Sequence, residues 1–222
     1  VSVPTGNFGN ILAAYCAKRM GLPLGKLLCA SNDNKVLTDF FRTGIYDKNR
    51  PFHVTTSPSM DILISSNLER LLYFAGENAE ECKKLMEELK DKGKYRISEA
   101  MEKELKDFYS GYGKEAEGSQ SIFQTYKETG YVLDPHTAVA KVVVDHYAYE
   151  QGRRDKCLVV STASPYKFSQ TVLKALKEPV PQDVFEGIEA LEKLWKEPIP
   201  APVKEVEEGE IRHSTVCSVE DM

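Results

Sequence analysis

The sequence predicts an α/β fold: a mostly parallel sheet covered by helices on both faces, with a helical insert. Three observations carry this expectation. The apolar runs "KLLCAS" and "CLVVST" are continuous rather than alternating, as strands buried on both faces require. Each run ends in small or polar residues and passes into a helical stretch, so strands and helices alternate along the chain. The segment from Asn78 to Glu117 is rich in Glu and Lys and strongly helical in propensity, with one solvated face.

In chain order, residues 1–10 ("VSVPTGNFGN") read as the end of a strand and then a glycine-rich loop. Residues 11–20 read as a helix burying Ile11, Leu12, Tyr15 and Met20, with Asn10 as its N-cap and Gly21 as its C′ stop. "GKLLCASN" reads as a buried strand, "VLTDFFRTG" as a short helix stopped by Gly44, and "PFHVTTS" as a second strand. Ser59 or Asp61 is expected to cap the helix "DILISSNLERLLYFAG". In the charged middle, Leu85, Met86 and Leu89, then Met101, Leu105 and Phe108, recur at helical spacing; Gly93 breaks the run and "SGYG" ends it. A helix, a turn at Gly130 and a helix from Pro135 follow, then the buried strand "CLVVST" and the helix "SPYKFSQTVLKAL". The tail from Pro179 carries a helix around Trp195 and an extended, mobile "PIPAPVKEVEEGE". The chain thus divides into an α/β part over residues 1–77, a helical insert over 78–118, a return to the α/β part over 119–178, and a C-terminal helix and tail over 179–222.

The net charge of −5 comes with no basic stripe, which argues against a nucleic-acid partner. No apolar run has membrane-spanning length. The five cysteines are scattered, none in a CxxC pair or zinc spacing, which suits free thiols in a cytoplasmic protein without a structural metal.

Three stretches carry candidate chemistry. In "PTGNFGN", Gly6 and Gly9 free the backbone at a strand-to-helix junction, where the first N–H groups of the helix lack partners and the helix dipole is positive. Asn7 and Asn10 tolerate left-handed conformations and add amide donors. Such a loop suits a phosphate; a tight turn without a ligand fits these seven residues equally. The pattern is neither GxGxxG nor a P-loop. In "VVSTASPYKF", Thr162 follows an apolar run at the end of the sheet where α/β folds bind ligands; a plain helix cap explains it locally as well. In "DPHTAVA", His136 has no Ser, Cys or Asp–His constellation nearby in sequence, and is read as a helix-start histidine satisfying backbone groups. His53, His146 and His213 show no ligand spacing.

Taken together and in this order, "VPTGNFGN", "SPSMDILISSNLER", "GYVLDPHTAVA" and "STASPYKF" resemble the C-terminal part of threonine synthase, in its longer subtype, from Val3 to about Leu176. The resemblance implies a pyridoxal 5′-phosphate enzyme of the tryptophan-synthase-β fold type that converts O-phospho-L-homoserine and water to L-threonine and phosphate. It implies that Gly6, Asn7, Phe8, Gly9 and Asn10 hold the cofactor's phosphate and that the Thr162 hydroxyl meets the pyridine nitrogen. A hydroxyl there does not keep the ring protonated, which moderates the electron sink. The family's Schiff-base lysine lies in a Phe-Lys-Asp stretch upstream of the glycine loop. No Phe-Lys dipeptide occurs in this sequence, and Lys167-Phe168 has the reverse order. The expectation is therefore a fragment beginning in the strand that feeds the loop, with no catalytic residue of its own and with the N-terminal part of the same enzyme as its partner. Two alternatives share the same phosphate cradle: a threonine-synthase-like phospho-lyase releasing a keto acid, and a non-catalytic module binding a phosphorylated small molecule or a partner chain.

Overall fold

A computed structural model describes residues 1–152 and 155–222. Its elements begin with strand β1 (Ser2–Pro4), helix α1 (Gly9–Arg19), strand β2 (Leu27–Ser31), helix α2 (Val36–Thr43) and strand β3 (Ile45–Asp47). Helices α3 (Leu68–Gly76) and α4 (Ala79–Lys92), strand β4 (Lys94–Arg96), helix α5 (Glu99–Glu104) and strand β5 (Phe108–Tyr112) follow. The remainder is helical: α6 (Glu115–Thr129), α7 (Pro135–Gln151), α8 (Ser169–Leu176), α9 (Val184–Trp195) and α10 (Ala201–Glu208).

The α/β expectation holds. Strands β1, β2 and β5 form a parallel sheet in the order β1-β2-β5, and β3 pairs with β4 in a separate antiparallel ribbon. Side chains of a strand alternate between faces, and both faces here are buried. Val3, Leu27, Cys29 and Phe108 join a core with residues of α1, α2 and α3, such as Ile11, Phe40 and Leu72. Leu28 and Ala30 face the other way, onto Val139, Ala140 and Val143 of α7. A third cluster, with Ile122, Leu133, Val172 and Leu191, joins α6, α8 and α9. Gly21 and Gly44 adopt the positive φ expected of helix stops. Among the described residues, no helix is long and apolar enough to cross a membrane, and no cluster of His, Cys, Asp or Glu is arranged to hold a metal.

Several local expectations are corrected. The "SGYG" expected to end the helical stretch 78–118 lies in and just beyond β5, which pairs with β2 and has Phe108 buried in the sheet core. The aromatic signal of "DFYSGY" is outweighed in the sequence by the Glu and Lys around it. "PFHVTTS" is not a strand. The Asn34 side chain donates to the His53 carbonyl (2.7 Å) and accepts its N–H (2.9 Å), so an amide side chain occupies the place of a ladder partner. Neither Ser59 nor Asp61 caps α3, which starts only at Leu68: Pro58–Met60 is a 3₁₀ turn, and the Asp61 carboxylate accepts from Thr55 N–H instead. "CLVVST" makes one parallel bridge, Val159 to Ser2, on the open side of β1; Leu158 is 66% exposed there, so the run is an edge rather than a buried strand. "SPYKFSQTVLKAL" splits into a 3₁₀ turn over Pro165–Phe168 and α8. Met20 lies past the end of α1 and is exposed. The segment expected to be extended contains α10, opened by Pro at its start and continued by good helix formers.

The five cysteines are unpaired, and their environments differ sharply. Burial pushes the Cys29 thiol up to about 12, against a small opposing effect of Thr5, whereas Cys217 is exposed. Since the thiolate is the reactive form, timed alkylation of native protein at a pH of about 8, read by peptide mass, is expected to modify Cys217 first and Cys29 only after denaturant is added.

Candidate functional site

The carboxyl ends of β1 and of the neighbouring edge meet at one place. From the parallel bridge Ser2–Val159, equal steps along both segments bring Thr5 level with Thr162. Beyond Thr5 the chain turns through Gly6–Phe8 into α1. Gly6 to Asn10, Ser59, His136, Thr162 and Lys167 all line one pocket of about 290 Å³. That volume is near the lower limit of sites for small ligands. The sequence-predicted loop and Thr162 are therefore brought together, and His136 joins them.

The turn is built differently from what glycine content suggests. Neither Gly6 nor Gly9 adopts a left-handed φ, nor do Asn7 or Asn10. Phe8 does, at φ 65°, and Phe8 rather than Asn10 is the N-cap residue of α1. A bulky residue in that region is strained by about 1–3 kcal/mol. Phe8 is only 1% exposed and stacks on Phe41 at 5.9 Å, with Phe108 at 6.0 Å. Burying such a ring gains about 1.5–3 kcal/mol, enough to offset the strain. Gly6 is required for a different reason: a Cβ there would sit 2.2 Å from the Ser59 carbonyl oxygen. Gly9 opens the helix, and a Cβ there would meet nothing closer than 3.8 Å.

Hydrogen bonding divides the loop into a satisfied side and an open side. Ser65 Oγ donates to the Gly6 carbonyl (2.9 Å), and Asn67 Nδ2 donates to the Asn7 carbonyl (2.8 Å). Ser66 donates both its N–H (2.7 Å) and its hydroxyl (2.9 Å) to Asn7 Oδ1. The acceptors are thus occupied. Among the described residues, none of the backbone N–H groups from Gly6 to Ile11 has an acceptor; the first helical bond runs from Leu12 N–H to Phe8 C=O at 3.2 Å. A row of open N–H groups at a helix start is the arrangement that binds an anion.

The supporting residues escaped the sequence reading. Tyr46 Oη donates to the Leu63 carbonyl (3.0 Å) and accepts Ser65 N–H (2.9 Å), setting the start of "SSN" against the loop. Burial pushes the Tyr46 phenol up to about 12, so it stays neutral. His136, 2% exposed, accepts Ser59 N–H at Nε2 (3.2 Å), with Nδ1 2.9 Å from Asp134 Oδ1. Nδ1 thus carries the proton, and both ring nitrogens are engaged: His136 satisfies a backbone group, as expected, and positions Ser59. Asp134 is itself the N-cap of α7. Thr162 is not a helix cap, because Ser164 caps the following turn through Tyr166 N–H. The useful signal was "SSN" ending just before a helix without capping it.

Substitution separates the two loop glycines. Gly6→Ala is expected to lower the stability to chemical denaturation by about 1–3 kcal/mol, because the Ser59 backbone has to move. Gly9→Ala is expected to be neutral or stabilising by up to about 1 kcal/mol, as a helical glycine replaced by alanine. Urea unfolding followed by circular dichroism measures both.

Comparison with known proteins adds the following. Residues 137–216 match the family model described as "Threonine synthase, C-terminal". The chain is 47% identical over 180 residues to Threonine synthase-like 1 of Homo sapiens, covering 80% of this chain and 24% of that protein. It is 39% identical over 190 residues to threonine synthase of Saccharomyces cerevisiae, covering 78% of this chain and 37% of that protein. The crystal structure of threonine synthase from yeast superposes with a TM-score of 0.78 at 35% identity, over 93% of this chain and 42% of that one. The crystal structure of PLP-bound threonine synthase from Brucella melitensis superposes with a TM-score of 0.71 at 39% identity, over 85% of this chain and 40% of that one. The chain thus spans from about a quarter to two fifths of the length of these proteins.

Proposed function

The chain is related in sequence and fold to the C-terminal part of threonine synthases, and from that premise we propose that its glycine-loop pocket holds the phosphate of pyridoxal 5′-phosphate. The enzyme served is a PLP-dependent lyase of threonine biosynthesis in the cytoplasm, converting O-phospho-L-homoserine and water to L-threonine and phosphate. One observation carries the reading: Gly6–Asn10, whose backbone N–H groups are open, and Thr162 line the same pocket. The donor set fits the phosphate, and a neutral hydroxyl fits a ring nitrogen that accepts a hydrogen bond. The scattered, unpaired cysteines support the reducing compartment.

When bound, the cofactor supplies an electron sink for charge that develops on the substrate's carbons. This chain's own residues orient it. The loop N–H groups grip the phosphate end, and Ser65, Ser66 and Asn67 keep acceptors out of its way. The Thr162 hydroxyl would hold the ring by a hydrogen bond at its nitrogen. His136 keeps Ser59, and with it the wall behind Gly6, in place. The covalent step needs an amine aimed at the cofactor's aldehyde carbon. The family motif places that amine in a Phe-Lys-Asp stretch, and these 222 residues contain no Phe-Lys dipeptide. The 222 residues alone therefore bind and orient without turning over substrate.

A second reading keeps the site and changes the product: a threonine-synthase-like phospho-lyase that releases a keto acid. The higher identity to a threonine synthase-like protein than to the yeast synthase favours keeping it. Product analysis of the complete enzyme separates the two.

Gel filtration with excess pyridoxal 5′-phosphate, read by absorbance, tests the shared site. The phosphorylated cofactor is expected to be retained at least about tenfold better than pyridoxal, because charge-assisted hydrogen bonds are lost with the phosphate. Thr162→Val is expected to shift the bound absorbance band with little loss of affinity. Equal retention of pyridoxal and its phosphate overturns the site assignment. One lysine labelled stoichiometrically by borohydride, together with threonine production by these residues, overturns the division of labour.

A further inference from the structure

The pocket contains a charge that the reading above leaves unused. No Asp or Glu lines it, although the chain carries a net charge of −5. Among the described residues that line it, the one formally charged side chain is Lys167. Among the described residues Lys167 forms no ion pair, and its ammonium lies 6.0 Å from the centre of the Phe168 ring.

The backbone under this lysine is fixed. Lys167 sits in the Pro165–Phe168 turn, where its N–H donates to the Ser164 carbonyl (3.1 Å). Its neighbours are anchored on both sides. Tyr166 is buried, with its hydroxyl on the Glu197 carbonyl, and the Phe168 ring lies 4.9 Å from the His136 ring. The turn follows Thr162 and Ala163 directly, and both of these line the pocket. The side chain is thus tethered at the pocket wall with its charge uncompensated.

A phosphate monoester near neutral pH carries nearly two negative charges. Backbone N–H groups contribute partial charge only, so a dianion seated on them remains under-neutralised. We propose that Lys167 is the counter-cation of this pocket: its ammonium completes the neutralisation of a phosphate monoester held by the Gly6–Ile11 donors. It thereby makes the pocket select a doubly charged ligand over a neutral one. The proposal rests on the phosphate reading above and adds to it the residue that supplies the full charge. In a pocket that carries the open N–H row and is free of carboxylates, a lysine imposes the sign of the ligand. This chemistry is shared by the cofactor's phosphate and the substrate's, and the two are separable by choice of probe.

Isothermal titration of the full chain with pyridoxine 5′-phosphate, which has no aldehyde and forms no imine, gives one arm. Titration with O-phospho-L-homoserine gives the other, and inorganic phosphate serves as the minimal probe. Lys167→Gln is expected to weaken binding of a phosphorylated probe about tenfold, the size of one lost charge-assisted contact. It is also expected to flatten the loss of affinity seen for the unsubstituted chain between about 0.05 and about 0.5 M salt. Lys167→Arg is expected to retain affinity within about threefold, since the charge is kept. A loss with pyridoxine 5′-phosphate assigns the ammonium to the cofactor's phosphate, and a loss with O-phospho-L-homoserine alone assigns it to the substrate's. Circular dichroism confirms that the exposed substitution leaves the fold intact. If Lys167→Gln binds all three probes like the unsubstituted chain, the counter-cation is wrong while the phosphate site stands. If the unsubstituted chain binds none of the three, the phosphate site and the counter-cation fall together.

Discussion

No side chain fits between Gly6 and the Ser59 carbonyl, and the site depends on that contact. It brings a loop at the end of a strand against a segment more than fifty residues away in sequence, and each side is held from behind. On the Ser59 side, His136 accepts the backbone N–H, and Asp134 holds His136. Asp134 also accepts the N–H groups of His136 and Thr137 as the cap of α7, so the start of that helix and the wall of the pocket share one carboxylate. Helix α7 is tied in turn to the sheet, where Ser2 Oγ donates to the Ala140 carbonyl (2.9 Å). The position of the loop is thereby set relative to the strand that feeds it by a path of hydrogen bonds through the core that the packing of Ser59 on Gly6 closes. Losing one partner along such a buried path costs about 1–3 kcal/mol, because the other is left unpaired.

The same loop illustrates how a backbone is made selective for an anion. Every peptide unit carries a donor and an acceptor, so a bare turn has no preference of sign. Here Ser65 and Asn67 occupy the carbonyls of Gly6 and Asn7, and Ser66 occupies the Asn7 side-chain oxygen. What remains open is a run of N–H groups. Tyr46 stands behind this arrangement, its ring stacked on Tyr95 at 5.3 Å and its neutral hydroxyl bridging Leu63 and Ser65. The aromatic core of α2 and the β3–β4 ribbon thus reaches the pocket through one phenol. Phe8 does the same from within that core, trading an unfavourable φ for the burial of its ring.

The sheet was legible in the sequence because "KLLCAS" is apolar without interruption, and the helix stops were legible because Gly21 and Gly44 supply the φ that other residues avoid. The loop was located correctly and explained incorrectly. Glycine content pointed to left-handed backbone at Gly6 and Gly9, whereas the need at Gly6 is space and the left-handed residue is Phe8. Space against a distant carbonyl leaves no local trace. Thr162 was placed beside the loop from strand direction alone, and the parallel bridge Ser2–Val159 supports that logic even though its strand is only an edge. What failed is whatever depends on side chains replacing backbone partners. "PFHVTTS" has the composition of a strand, and nothing within it reveals that Asn34 will take up the His53 peptide. "FYSGY" has too short a signal to stand out from the Glu and Lys that flank it.

The position of Asp61 shows why such replacement matters to the site. Its Oδ1 accepts from Asn32 (2.7 Å), Asn34 (3.0 Å) and the Thr55 hydroxyl (2.7 Å), and its Oδ2 accepts Thr55 N–H (2.8 Å). One carboxylate thus gathers the end of β2, the loop after it and the segment that leads to Ser59. A strand ladder would have held the segment through regularly spaced backbone bonds; the carboxylate instead pulls it into a bend, which ends in the 3₁₀ turn Pro58–Met60. That bend delivers the Ser59 carbonyl to Gly6. It also turns the charge of Asp61 inward onto four donors and away from the pocket, just as Asp134 spends its charge on His136, Thr137 and the start of α7. Neither carboxylate lines the pocket, though each lies within two residues of one that does. An acidic chain can therefore keep a site for anions: the carboxylates that flank its lining residues in sequence are ones that hold the wall, and their oxygens are engaged by donors.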